Sequence, residues 1–218
     1  MVRKMLLKAG ILAATMGMLL SCNVKAATTE EENIMESAKE VVSQMGVGWN
    51  LGNTLDSWAT GDLWFDAADP KGWESCWGNP VTTKAMIDKV KEAGFKTLRV
   101  PTTWGYHMGD SPDYTIDPAW MAIVKEVVDY GIDDGLYVIL NAHHEDGWCL
   151  PTKEKEAECT ERLESLWTQV AENFKNYDSH LIFEVQNEPR LVGSTEEWSG
   201  GTAEGREVVN NYNEAALK

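Results

Sequence analysis

Four segments of this 218-residue chain alternate apolar and polar residues, and each is followed by a stretch with helical spacing. That alternation constrains the fold more than any other feature, because strands separated by helices pair in parallel through right-handed crossovers. The spacing predicts strands over Met45 to Leu51, Phe95 to Pro101, Leu136 to Ala142 and His180 to Asn187. The matching helices run over Thr82 to Ala93, Pro118 to Asp134 and Cys159 to Tyr177, with a fourth starting near Thr202. Punctuation agrees: Gly94 and Gly135 follow the first two helices, and Asp117 before Pro118 is a good N-cap and first-turn pair. An acidic-fronted helix, Thr28 to Gln44, comes first, with Ile34, Val41 and Val42 as its apolar side.

Side-chain parity then separates two sheet architectures. If Glu188 faces inward, so do Gln186 and Glu184, while Val185, Phe183 and Leu181 face the helices. The same choice sends His143, Asn141 and Ile139, then Arg99 and Thr97, then Asn50 and Gly48 to that inner face. Every strand thus carries a polar group near its C-terminal end on one shared face. A doubly wound sheet would be apolar on both faces, whereas a barrel rim has this pattern. The expected fold is α/β, the N-terminal half of a (β/α)8 TIM barrel with strands one to four, its C-terminal half absent.

The fourth strand delivers Asn187-Glu188-Pro189 where it stops. A carboxyl group held beside an amide at a strand end suits general acid/base work on a sugar acetal. The rest of the composition fits a neutral substrate. Arg3, Lys4 and Lys8 precede an apolar run from Ala9 to Leu20, which reads as an export signal over residues 1–22 and leaves residues 23–218 as a partial catalytic domain. Leu19-Leu20-Ser21-Cys22 resembles the lipobox of bacterial lipoproteins, with Cys22 as the lipidation site; an ordinary cleaved leader ending near Ala26 or Ala27 is the alternative. The expected location is therefore exported: an outer-membrane or periplasmic lipoprotein, or a secreted protein.

The chain's net charge of −16 becomes −19 once the three basic residues of 1–21 are removed. Such a surface repels nucleic acid and anionic membrane, so the only membrane contact expected is the N-terminal lipid anchor. Ten tryptophans are many for this length; about half are expected in the core, and the rest suit sugar rings. Beyond Cys22, Cys76, Cys149 and Cys159 remain, an odd number, and Cys149 and Cys159 flank a short polar loop across which a disulfide can form. No Cys-x-x-Cys spacing occurs and the adjacent His143 and His144 lack a carboxylate at helical spacing, so neither a metal nor another cofactor is expected.

Five motifs in order resemble glycoside hydrolase family five, the retaining cellulase family of the TIM-barrel clan. They are Gly48-Trp49-Asn50-Leu51-Gly52-Asn53-Thr54, Trp77-Gly78-Asn79-Pro80, Gly94-Phe95-Lys96-Thr97-Leu98-Arg99-Val100-Pro101, Asn141-Ala142-His143-His144 and Phe183-Glu184-Val185-Gln186-Asn187-Glu188-Pro189-Arg190. The resemblance implies that Glu188 is the general acid and then the base, and that Asn187 binds the sugar 2-hydroxyl. It implies that Arg99 holds the nucleophile ionised, with pairing to Glu184 as a second role. His143 would contact the sugar and the carboxylate network, with His144 beside it. Asn50, Asn53 and Trp58 would bind sugars on the non-reducing side, and Trp104 and Trp148 are candidates for lining the cleft. The implied partner is a β-linked polysaccharide or oligosaccharide.

Retaining hydrolysis needs a nucleophilic carboxylate about 5 Å from the acid/base, and the family places it at the end of strand seven. The expectation is thus an endo-β-1,4-glucanase represented by an N-terminal portion lacking the nucleophile and inactive alone. The rival expectation is a half-barrel that dimerises. Within the chain, Glu145 and Asp146 are the nearest substitutes. Xyloglucanase, xylanase or mannanase activity is the alternative within the family, and a non-catalytic carbohydrate-binding lipoprotein is the alternative outside it.

Overall fold

The computed structural model describes residues 36–218. The leader, Cys22, Ile34 and most of the helix expected from Thr28 lie outside the described residues. What is described of that helix is α1, Ala38–Met45, capped by a reciprocal Ser37–Glu40 pair. Val41 is buried, but Val42 is exposed, so the apolar side is narrower than expected.

Each predicted strand forms, trimmed at its ends: β1 is Gly48–Asn50, β2 Thr97–Val100, β3 Tyr137–Asn141 and β4 Leu181–Glu184. They make one parallel sheet in the order β1-β2-β3-β4. A short helix that periodicity did not reveal, α2 at Pro70–Glu74, precedes α3 at Lys84–Glu92. It is a five-residue element started by Asp69 and Pro70, too short to display a helical stripe. After β2 comes α4, Pro118–Asp133, with Asp117 Oδ1 accepting from Ala119 N at 2.8 Å. The last two helices are α5, Glu156–Phe174, and α6, Ala203–Ala216. Gly94 (φ +96°) and Gly135 (φ +65°) stop α3 and α4 in a conformation that only glycine adopts without strain.

The core lies outside the sheet. Leu98, Val100, Val138 and Leu140 are fully buried under Ile123, Val124, Val127 and Val128 of α4, and Leu163, Leu166 and Val170 of α5 close the next layer. Each such aliphatic side chain contributes about 1.5–3 kcal/mol by leaving water. Phe183 packs outward toward Trp167, ring centroids 5.6 Å apart, as parity predicts. On the opposite, concave face Ile139 and Ile182 are only half-buried, and all three residues of β1 are exposed. Among the described residues, no helix is long and apolar enough to cross a membrane.

Candidate active site

The ladders run on past the strands and fix the rim. Leu51 N donates to Arg99 O, His143 N to Thr102 O and Asn187 N to Ala142 O, each at 2.9 Å. Each turn after a strand is thereby pinned to the neighbouring strand end, and the inner-face polar residues converge.

Arg99 is the hub. Its Nε and Nη2 donate to the two carboxylate oxygens of Glu184 at 2.8 and 2.5 Å, its Nη1 to Asn50 Oδ1 at 3.0 Å and its Nη2 to Asn187 Oδ1 at 3.0 Å. Of its two expected roles, pairing with Glu184 is the one formed by the described residues. Burial alone would raise the Glu184 carboxyl, but the bonds from Arg99 and Asn141 outweigh it and hold Glu184 below the usual range. The bonds that Arg99 donates to Glu184 push the guanidinium upward, against its own burial.

Asn141, fully buried, orders the next layer. Its Oδ1 accepts from Thr102 N at 3.1 Å, and its Nδ2 donates to Glu184 Oε1 and to His143 Nδ1, both at 3.0 Å. Because His143 Nδ1 accepts, the ring proton resides on Nε2, the nitrogen 3.9 Å from Asp56 Oδ2. Burial first, and the neighbouring His144 second, lower His143 to about 4, so the ring is neutral near pH 7. Asp56 is buried, with Oδ1 accepting from Thr54 N at 2.8 Å and Oδ2 3.8 Å from His144 Nε2. Asp56, His143 and His144 each offer one ligand atom within 4.8 Å of the others. A cation there would have to displace the His143 Nε2 proton and break the Asn141 bond that sets the tautomer, so the donor set fits a hydrogen-bonded network better than a metal centre.

Glu188 stands at the rim, exposed, with φ +43°. A left-handed glutamate stores strain on the order of 1–3 kcal/mol, and such strain clusters where a side chain must be aimed. Arg190 Nη1 lies 3.3 Å from its Oε2, while Arg190 is also held by Glu197 at 3.1 Å and Asp146 at 3.6 Å.

The aromatic expectations divide. Trp58 stacks on Tyr106, centroids 5.4 Å apart and planes 13° apart, and meets Trp77 edge-on at 6.2 Å. Trp77 in turn lies 5.4 Å from His144, so the three rings form one aromatic platform, and Asn50 and Asn53 are both exposed. Trp104, expected to line the cleft, is instead fully buried and donates through Nε1 to Asn141 O at 2.9 Å. The loop after β2 folds back into a 3-10 turn, Gly105–His107, which carries the ring into the core. Trp148 is half-buried, its Nε1 donates to Glu145 Oε2 at 2.6 Å and Arg162 covers its ring at 4.3 Å. It is therefore part of the loop's packing, not an open sugar face. Of the ten tryptophans, Trp73, Trp104, Trp120 and Trp167 are buried.

Glu145 is likewise no substitute nucleophile. It is buried and accepts from Trp104 N at 2.6 Å, Gly105 N at 3.0 Å and Trp148, so its carboxylate ties the β2 and β3 loops together. Burial raises it, against those donors. Sequence reasoning missed Asp56, Tyr106 and the bridging part of Asn141. Asn141 was on the inward parity, but Asp56 and Tyr106 lie in loops, where parity gives no direction.

The cellulase (glycosyl hydrolase family 5) model matches residues 64–218. Endoglucanase A of Clostridium longisporum is 59% identical over 184 residues, which are 84% of this chain and 35% of that protein. A GH5-4 broad specificity endoglucanase from Clostridium longisporum superposes with a TM-score of 0.79 at 58% identity, over 84% of this chain and 51% of that one. A second GH5-4 broad specificity endoglucanase, from Ruminococcus champanellensis with bound cellotriose, gives 0.79 at 50% identity, over 83% and 52%. The chain thus spans about half the length of these solved relatives and about a third of that curated one. With a rim of Asn50, Arg99, Asn141, Glu184 and Asn187-Glu188 on four parallel strands, and a family match over most of its length, the chain belongs to glycosyl hydrolase family 5, the cellulase family.

Proposed function

We propose that these residues form the acid/base side of a retaining endo-β-1,4-glucanase site in an exported protein. Glu188 protonates the leaving glycosidic oxygen and then deprotonates water, while Asn187, held by Arg99, meets the 2-hydroxyl of the sugar at the broken bond. The observation carrying this reading is the placement of Glu188: a strained, exposed carboxyl next to an amide that the Arg99–Glu184 pair locks in place. The Trp58–Tyr106–Trp77 group supplies the apolar faces on which sugar rings stack.

Double displacement needs a second, nucleophilic carboxylate about 5 Å away. The nearby carboxylates have other work: Glu184 is bound by Arg99 and Asn141, Glu145 is buried under three donors, and Asp146 faces Arg190. We therefore assign the nucleophile to residues beyond these four strands. Reducing-sugar release from soluble β-glucan by residues 23–218, beside Glu188→Gln, tests this. No release from either agrees with the assignment; release by the parent that Glu188→Gln abolishes would show a working site within the chain and overturn it. Xyloglucan, xylan and mannan are the alternative substrates, to be tried in parallel. A purely carbohydrate-binding role would require the complete barrel to bind β-glucan without releasing reducing sugar, and Glu188→Gln to leave that binding unchanged.

A further inference from the structure

A cavity of about 350 Å³ lies between the loop that joins β4 to α6 and the first turns of that helix. The volume falls at the lower end of the roughly 300–1,000 Å³ of small-molecule sites, enough for a single sugar ring. Its walls include neither the rim residues Asn50, Arg99, Glu184 and Asn187 nor the Trp58–Tyr106–Trp77 platform. Local hydrogen bonds hold it open. Glu197 accepts from Gly193 N at 2.7 Å and from Arg190 Nε at 3.1 Å, which closes the loop on itself. Arg206 of α6 donates to Gly200 O at 2.8 Å and to Gly201 O at 2.7 Å. Thr202 caps the helix by accepting from Gly205 N at 2.9 Å, and a Cβ at Gly205 would stand 3.2 Å from Pro151 O. The start of α6 therefore rests directly on the β3 loop, and the cavity is formed before anything enters it.

We propose that this cavity is a carbohydrate site in its own right, taking one neutral pyranose unit. Charge selects the class. Arg190 and Arg206 line the cavity together with Glu196 and Glu197, so an anion meets carboxylates and a cation meets guanidinium groups. A neutral polyol instead finds donors and acceptors side by side. Pro151, Pro189, Leu191 and Val209 supply apolar patches against which the C–H faces of a sugar ring pack. The half-buried Glu196 carboxylate has no hydrogen-bond or ionic partner among the described residues, and neither has the Asn210 side-chain amide. Both are free to bind hydroxyls. Arg190 also reaches Glu188 Oε2 at 3.3 Å, so an occupied cavity would steady the residue beside the rim carboxyl.

Binding is read without hydrolysis, so the inference stands or falls apart from the role given to Glu188. The isotope-labelled chain is titrated with cellobiose, with a xyloglucan oligosaccharide and with inorganic phosphate, and backbone amide shifts are mapped by NMR. The expected result is a sugar-dependent shift at Ser194, Gly201, Thr202 and Asn210 that persists in Trp58→Ala, the variant that dismantles the aromatic platform. A response to cellobiose identifies the ligand as a free short sugar; a response to the xyloglucan oligosaccharide alone identifies it as a branch of a polysaccharide. Glu196→Ala, which removes no hydrogen bond seen within the fold, is expected to weaken this binding about tenfold, the loss of one hydrogen bond to a charged group. No sugar-dependent shift at those four residues, larger shifts there with phosphate than with either sugar, or an affinity unchanged by Glu196→Ala would overturn the proposal.

Discussion

Replacing Arg99 with methionine is the sharpest test of the site's electrostatics. The guanidinium makes two bonds to Glu184 and one each to Asn50 and Asn187. Removing one partner of a fully buried pair costs about 3–5 kcal/mol, whereas a fully exposed pair is worth about 0–1. Here the two side chains are 25% and 31% exposed, which places Arg99→Met between those limits. We expect a loss of about 2.5 kcal/mol, or roughly seventyfold in the unfolding equilibrium. The pH dependence is the more specific signature. In the parent, Glu184 ionises below its unfolded value, so its contribution is present above about pH 4.3 and is lost as pH falls through the lower folded value. In the variant a half-buried carboxyl left with the single Asn141 donor binds its proton more readily than in the parent, so the variant loses less on acidification. The gap between parent and variant should therefore close between pH 6 and pH 3. Urea unfolding followed by tryptophan fluorescence at both pH values measures it. A variant within about 0.5 kcal/mol of the parent at pH 6, or a gap insensitive to pH, would refute the assignment of Arg99–Glu184 as a strong internal ion pair.

His143, lowered to about 4 by burial, should show imidazole NMR resonances unmoved until well below pH 6; because its folded value lies under its unfolded one, its contribution is complete above about pH 6.5 and is lost on acidification toward 4. Glu145→Ala leaves Trp104 N, Gly105 N and Trp148 Nε1 without their acceptor and should cost about 2–4 kcal/mol in urea unfolding. Gly131→Ala puts a methyl 2.7 Å from Val138 Cγ2 and 3.2 Å from Leu98 Cδ2, and overpacking between α4 and the sheet should cost about 1–3 kcal/mol by the same measurement. Trp58→Ala and Trp104→Phe separate platform from core: on the proposed glucanase reading, calorimetric titration with a soluble β-glucan oligosaccharide should weaken for the first, while the second should lose stability by about 1–3 kcal/mol, the cost of the orphaned Asn141 carbonyl.

Much of this protein was legible in its residues. The alternation of strand and helix periods, with Gly94, Gly135 and Asp117-Pro118 as punctuation, is local chemistry, and local chemistry survives in a linear text. Parity within strands also survives, because successive side chains of a strand must point to opposite faces; Asn50, Arg99, Asn141 and Glu184 were assigned to one face for that reason, and their hydrogen bonds bear it out. Loops obey no such period. The burial of Trp104 and Glu145, the approach of Asp56 to two histidines and the stacking of Tyr106 on Trp58 depend on where chain segments tens of residues apart come to rest. The sequence by itself determined which side chains share the barrel's inner face; the tertiary structure decided which of the loop residues join them, because loop direction is set by packing against distant elements and not by backbone period.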